Sequence, residues 1–495
     1  MTVPARADVI VIGGGNAAHC AALGARDAGS NVLMIERAPA AEAGGNSRFT
    51  AGAMRTVYDG IEDLRTLMPD LSDEEIARSD FGTYSRENFL DDMGRVTRYR
   101  CDPDLADCLV TRSRETLLWM RSKGVRFQPM WGRQAFEVGG RFRFWGGLAV
   151  EVAGGGEGLI DGLSRAARKS GIRLIHEARA VELVRKDARV TGVRVLHGGA
   201  FHTIAARAVV LACGGFEANH EWRARYLGPG WDLARVRGSR FNTGDGIRMA
   251  LDIGAAPFGH WSGCHAVAWD LNAPEFGNLS VGDGFQKHSY PFSVMINARG
   301  ERFLDEGADF RNYTYAKYGA EILNQPEQLA WQVFDAKVAA LLRDEYRIRQ
   351  VTRVRASTIE DLVERMEGVD GATALATIRS FNAAVRQDIA FDPTVRDGRS
   401  TEGLAIPKSN WANTIDEPPF EAYAVTCGVT FTFGGLRIDS AANVLDSDLR
   451  PIDGLLAAGE LVGGLFYFNY PGGTGLTSGA VFGRLAGQSA AARAS

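Results

Sequence analysis

Cysteine is sparse and unpatterned in this 495-residue chain: six residues, at positions 20, 101, 108, 213, 264 and 427, with no Cys-x-x-Cys spacing. That excludes a disulfide scaffold, gives no metal site, and points to reduced thiols in a cytoplasmic protein. An excess of one charge is lacking too. The 56 Lys and Arg are mixed with 60 Asp and Glu for a net charge of −4, so no basic face recruits nucleic acid and a small molecule is the expected partner. No uncharged apolar run reaches membrane-spanning length; the nearest, around 454–468, is Gly-rich and interrupted by Glu460. The first apolar segment has no basic region before it and no cleavage site after it, so no secretory signal is expected. Internal repeats and low-complexity tracts are also missing. With 45% hydrophobic and 23% charged residues, the composition suits a globular protein of about two domains.

What is present begins at Val9. The run 9–12, the turn Gly13-Gly14-Gly15-Asn16-Ala17-Ala18 and a second apolar run, 31–35, closed by Glu36 and Arg37 form a βαβ unit of the dinucleotide-binding kind. Gly13 allows the tight turn, Gly15 lets the backbone approach a pyrophosphate, and small Ala18 lets the helix pack on the strand. The helix start, with Asn16 and Ala17, turns its positive dipole end to the phosphates. Gly44-Gly45-Asn46-Ser47 and Thr50-Ala51-Gly52 follow, a glycine- and hydroxyl-rich segment that a nicotinamide cofactor does not need. A flavin ring does, because backbone amides must line its edge. Further cofactor contacts are expected from Val181 in a strand near the adenine, from Ala212 and Gly214 at a strand end, and from Asn242, Thr243 and Asp245 opening a helix. Gly459-Glu460 ends another strand, and Gly475-Leu476 opens a small-residue helix facing the flavin pyrimidine.

In this order the motifs resemble the fumarate reductase and succinate dehydrogenase flavoprotein superfamily, which includes the 3-ketosteroid dehydrogenases, over essentially the whole chain. Asn46-Ser47 with its glycines, the segment 305–315 around Arg311, Thr430-Phe431-Thr432-Phe433-Gly434-Gly435, and Phe468-Asn469-Tyr470-Pro471-Gly472-Gly473-Thr474-Gly475 look most like FAD-dependent tricarballylate dehydrogenases. The resemblance implies an α/β fold: a Rossmann-like FAD-binding domain assembled from both chain ends, residues 1–255 and 411–495, with an inserted α+β cap, residues 256–410, for substrate. The segment 325–386 reads as helical and broken at Gly368 and Gly371, and 62–121 as a helical insertion with a helix start at Ser72. Covalent flavin attachment in the respiratory members uses a His in the segment matching 46–54. None stands there, which implies noncovalent FAD.

For the chemistry, the resemblance assigns His265 to a substrate carboxylate and places Arg311 within one position of the family's proton-transferring Arg. Arg302 and Glu306, the latter as a proton relay, complete the expected set with Tyr470. Two elements depart from the fumarate enzymes: Phe431 replaces their His and Tyr470 their second Arg, so a cation for a second carboxylate is missing. Tyr470-Pro471-Gly472 also resembles the 3-ketosteroid dehydrogenase signature, whose Tyr hydrogen-bonds the substrate carbonyl. Arg55, Arg133, Arg141, Arg143, His260 and His288 add candidate cations that suit a tricarboxylate. The expected reaction is oxidation of a CH–CH bond, tricarballylate to cis-aconitate, with Arg311 or Tyr470 taking the proton. A ketosteroid-type dehydrogenase, a fumarate-reductase-like alkene reductase, and a flavin-binding protein without dehydrogenation are the alternatives. No second nucleotide fingerprint is present, so the resemblance implies a membrane-bound iron-sulfur protein as electron acceptor, with this chain only transiently at the membrane surface.

Overall fold

Val9–Ile12 (β1) is apolar and buried at all four positions, the pattern of a strand covered on both faces. The computed structural model describes residues 3–494. From β1 the chain turns through Gly13 into α1 (Asn16–Asp27) and returns as β2 (Val32–Ile35), parallel to β1 with Val9 opposite Val32. Gly13 has φ 124°, and a Cβ there would lie 2.2 Å from the Ala212 carbonyl oxygen, so both the turn and the neighbouring strand require glycine. After α2 (Gly155–Lys169), β3 (Arg173–Ile175) joins β2 and β4 (Ala208–Leu211) joins the other side of β1, both parallel.

The middle of the chain supplies a second sheet: β5 (Pro257–Asp270), β6 (Val294–Asn297), β7 (Ala330–Phe334) and β8 (Phe420–Leu436). The long β8 pairs antiparallel with β5 and β7, and β6 extends the sheet beyond β7. The chain then re-enters the first sheet with β9 (Asn443–Leu445) and β10 (Pro451–Ala457), giving the order β9-β10-β4-β1-β2-β3. The last helix, α3 (Thr474–Ala494), crosses α1 on a seam of small residues. A Cβ on Gly487 would stand 2.0 Å from the Ala21 carbonyl oxygen, and one on Gly483 2.5 Å from that of Ala17.

The helical insertion appears as Ile61–Leu67, Asp73–Ala77, Arg86–Val96 and Pro103–Ser122, with Ser72 and Glu75 forming a capping box. The segment 325–386 departs from its helical reading. It holds β7 and the strand Arg353–Ala356 before the helices Ile359–Arg365 and Gly371–Ala384. A short apolar run such as 330–334 carries no period that separates strand from helix; pairing with β8 decides it. The break at Gly368 is present, with φ 76°. Among the described residues no helix is long and apolar enough to cross a membrane.

Candidate functional site

One solvent-open cavity runs from the start of α1 to the face of the second sheet. Its lining takes in both glycine-rich loops, strand ends of the first sheet and one face of the second, so groups suited to a dinucleotide and groups suited to a second molecule share one space. The N-cap of α1 is Gly15, with no side-chain cap, so the first-turn amides face whatever occupies the cavity. The Asn16 N–H is the exception, donating to Ser47 Oγ at 3.1 Å and tying the second glycine-rich loop to the first. Glu36 accepts the Ala38 N–H on one carboxylate oxygen at 2.7 Å and lines the cavity, and burial pushes its pKa up. At the same end Asp245 is bound by both Arg37 and Arg179.

Further along, the Glu460 carboxyl lines the cavity and accepts the Thr432 N–H at 2.9 Å. Glu217 lies behind it and accepts the side-chain amides of Asn46 and Asn242, each at 2.6 Å. Burial, and for Glu460 also the neighbouring Glu217, raises both carboxyl pKa values. These donors, acceptors and Cβ-free turns fit FAD.

The far end of the cavity is built by β5 and β8. Their pairing slips between His260 and Cys264 and again between His265 and Ala266. Such bulges re-aim side chains, and here His265 and Phe431, opposite each other at the second slip, both reach the cavity. His265 is buried with neither ring nitrogen bonded, packed against Tyr315, Phe431 and Tyr470 at centroid distances of 4.9, 5.1 and 4.8 Å. His288 Nε2 is likewise unpartnered. Burial holds both imidazoles well below the ordinary histidine pKa, and the field of Arg237 acts the same way on each. They are therefore neutral near pH 7, offering N–H donors rather than charges. The Tyr315 and Tyr470 hydroxyls hydrogen-bond each other, and burial raises the pKa of both.

The cations come from elsewhere. Arg237 binds Asp283 Oδ1 at 2.6 Å, and Arg133 binds Asp283 Oδ2 at 2.9 Å. Arg311 donates to the Gln134 Oε1 at 2.6 Å and to the Arg133 carbonyl at 2.8 Å; it has no carboxylate partner among the described residues. Three guanidiniums against one carboxylate leave this wall two positive charges in excess. Burial lowers the Arg311 pKa; the nearby Glu345 carboxyl opposes that shift and Arg133 adds to it.

Of the expected catalytic set, the structure brings Arg311, His265 and Tyr470 together and leaves out two. Arg302 and Glu306 bind each other at 2.6 Å, with Glu306 also accepting the Met295 N–H, and neither lines the cavity. Their spacing of four residues makes them a local ion pair that fastens the turn after β6. Arg55 is buried under that end, held by Asp92 and by the Gly472 and Gly146 carbonyls. Arg141 and Arg143 stand on the strand Arg141–Phe144, outside the lining, as does His260. Among the cofactor residues, Ala18, Gly44, Gly52, Val181 and Thr243 also fall outside it. Ala18 packs α1, Gly44 caps a short turn at φ 115°, and a Cβ on Gly52 would meet Gly155 at 2.9 Å. The Val181 carbonyl accepts from Arg248, and Thr243 Oγ1 accepts from Arg37. Ala178, Arg179 and Ala180 take the wall position expected of Val181. Arg237, Asp283, Gln286 and Gln134 carry no motif, and Tyr315 closes the segment 305–315 without a role assigned to it; only folding brings them to one wall.

A family profile described as FAD binding domain matches residues 8–476. The chain is 31% identical to the probable fumarate reductase Ifc3 of Shewanella frigidimarina (strain NCIMB 400), over 98% of this chain and 75% of that protein. Among solved structures, the open conformation of a flavocytochrome c3 fumarate reductase superposes with a TM-score of 0.74 at 28% identity, over 99% of this chain and 79% of that one. The 3-ketosteroid Δ1-dehydrogenase of Sterolibacterium denitrificans superposes with a TM-score of 0.76 at 22% identity, over 99% and 100% of the two chains; that likeness is one of fold.

Proposed function

Since the chain belongs to the FAD-binding-domain family, we propose that it moves hydrogen across a carbon–carbon bond next to a carboxylate, as a fumarate-reductase-like alkene reductase acting on a small unsaturated acid. The observation that carries this reading is the wall of Arg133 and Arg237 around Asp283 with Arg311 next to them, beside two buried neutral histidines, at the end of the cavity that the glycine-rich loops line. Bound FAD, held noncovalently, supplies the hydride chemistry.

The chain's own residues do the rest. The guanidiniums of Arg311 and Arg237 hold the substrate carboxylate and stabilise the enolate-like charge that grows on it. The neutral His265 orients it through a ring N–H, and the aromatic wall of Phe431, Phe433 and Phe466 excludes water. A proton reaches the carbon next to the hydride acceptor from the Arg311 guanidinium or from the Tyr470 hydroxyl, which Tyr315 can resupply. Glu306 has no part in that route. Two excess positive charges match a mono- or dianion. Tricarballylate, with three carboxylates, leaves one unmatched, so the tricarballylate to cis-aconitate reaction is the narrower reading within this class.

Anaerobic mixing of the FAD-loaded, dithionite-reduced protein with fumarate and with cis-aconitate tests the proposal. Return of the oxidised flavin absorbance with an unsaturated acid supports it, and no return with either acid sinks it. The oxidised protein is challenged in parallel with tricarballylate and with a 3-ketosteroid. Bleaching by the ketosteroid alone favours the second reading, whose specific support is the Tyr315–Tyr470 hydroxyl pair beside an apolar wall. A protein that binds FAD but responds to none of the four is a flavin-binding protein without dehydrogenation.

A further inference from the structure

Arg98 and Tyr99 are consecutive non-glycine residues in the left-handed region, at φ 54° and 56°, and Phe468, which Arg98 covers, is left-handed as well, at φ 62°. Such backbone is strained for residues that carry a side chain and persists where the surroundings impose it. The Arg98 guanidinium lies 4.3 Å from the centroid of the Phe468 ring, and Arg437 lies 4.5 Å from that of Phe258. Neither of these arginines, nor Arg100 between them and Asp102, has a carboxylate partner among the described residues. Asp102, two residues after Arg100, is engaged as an N-cap by the Asp104 and Leu105 amides. Tyr99, 82% exposed, is the most exposed large apolar side chain of the described residues.

This surface connects inward through aromatic rings. Phe468 packs against His260 with centroids 4.8 Å apart, and its N–H donates to His260 Nδ1 at 3.1 Å. Tyr467 stacks on the same imidazole at 5.9 Å, and His260 in turn lies 6.4 Å from Phe433. Phe433 lines the flavin cavity. His260, expected among the substrate cations, instead sits midway between cavity and solvent.

We propose that Arg98, Tyr99, Arg100 and Arg437 form the docking surface for a small acidic one-electron carrier protein, and that Phe468, His260 and Phe433 connect it to the flavin cavity. The inference rests on the reductase reading above. An unsaturated acid needs two electrons and two protons to become saturated; two visits by a reduced carrier supply the electrons, each oxidising one carrier by one electron, and water supplies the protons. Unpaired arginines around an exposed ring steer an acidic partner and favour a small, short-lived contact of the kind electron-transfer encounters use.

The test uses the FAD-loaded protein and a reduced plant-type [2Fe–2S] ferredoxin as the acidic probe, with reduced methyl viologen as a donor that needs no docking. Ferredoxin affinity is measured by calorimetry, independently of turnover, and fumarate-dependent oxidation is followed with each donor. The double variant R98E/R100E is expected to lower ferredoxin affinity and ferredoxin-driven turnover by about tenfold or more while leaving viologen-driven turnover unchanged. Raising NaCl from about 0.05 to about 0.5 M weakens the wild-type contact in the same way. Phe468→Ala is expected to slow ferredoxin-driven turnover with affinity kept. Wild type that does not bind ferredoxin, or a double variant that binds it equally, overturns the surface; F468A at the wild-type rate overturns the aromatic route. Absence of viologen-driven turnover of unsaturated acids in wild type defeats the reductase reading instead, and calorimetry still decides the surface.

Discussion

Arg311 and Glu36 show what single residues contribute. Arg311 has its guanidinium set by Gln134 and the Arg133 carbonyl rather than by an acid, so its charge is free for a substrate. Arg311→Ala is expected to lower kcat/KM by about 10²–10³-fold with flavin content unchanged, the size of effect seen when one donor to a developing oxyanion is lost. Arg311→Lys restores little, because a point charge cannot reproduce the planar fork. Steady-state kinetics beside the flavin-to-protein absorbance ratio checks both. Glu36→Ala acts at the other end: the carboxylate fixed by the Ala38 amide is lost, and gel filtration should recover protein depleted in flavin. Both residues were legible in the sequence through their motifs. Arg302 and Glu306 stand in the stretch just before Arg311, yet their side chains close on each other, a choice set by rotamers and neighbours rather than by spacing.

Elements carry their own tests. The α1–α3 crossing depends on glycines whose missing side chains let two backbones touch. Gly487→Val should cost at least about 1–3 kcal/mol, the usual penalty of overpacking, read as a lower urea midpoint with an unchanged slope. His19 links α1 to α2: its Nδ1 lies 3.0 Å from the Gly15 carbonyl and its Nε2 3.0 Å from Ser164 Oγ. Burial lowers its pKa from 6.5 to about 4. The unfolded chain therefore binds a proton below pH 6.5 that the folded chain refuses, so the stabilisation is complete above 6.5 and is lost as the pH falls toward about 4. The loss is about 3 kcal/mol in order of magnitude. His19→Gln should flatten the dependence of the urea midpoint between about pH 7 and about pH 4.5.

At the scale of the molecule, the two sheets meet around one cavity, and its occupant contributes to folding stability by mass action. Added FAD should raise the melting temperature of the apoprotein with concentration, by about 2.7 kcal/mol of stability at a hundredfold excess over Kd. A melting temperature insensitive to FAD contradicts the cavity's assignment. His265 and His288, held neutral by burial, reinforce the acid loss described for His19, and a bound anion opposes it by favouring their protonated forms.

The sequence by itself determined the βαβ start, the glycine turns, the cofactor class and the family, because each rests on contacts among near neighbours in a fixed local geometry. Its motifs also pointed to Arg311, His265 and Tyr470, which line one cavity. Only the tertiary structure decided which charges share a wall. Arg237 meets Asp283 across 46 residues, Arg133 meets it across 150, and Tyr315 meets Tyr470 across 155. No local period encodes such separations. They follow from how distant segments fold over the second sheet, while the slip at His265, where one extra residue enters the pairing of β5 with β8, turns a histidine and a phenylalanine toward the same cavity.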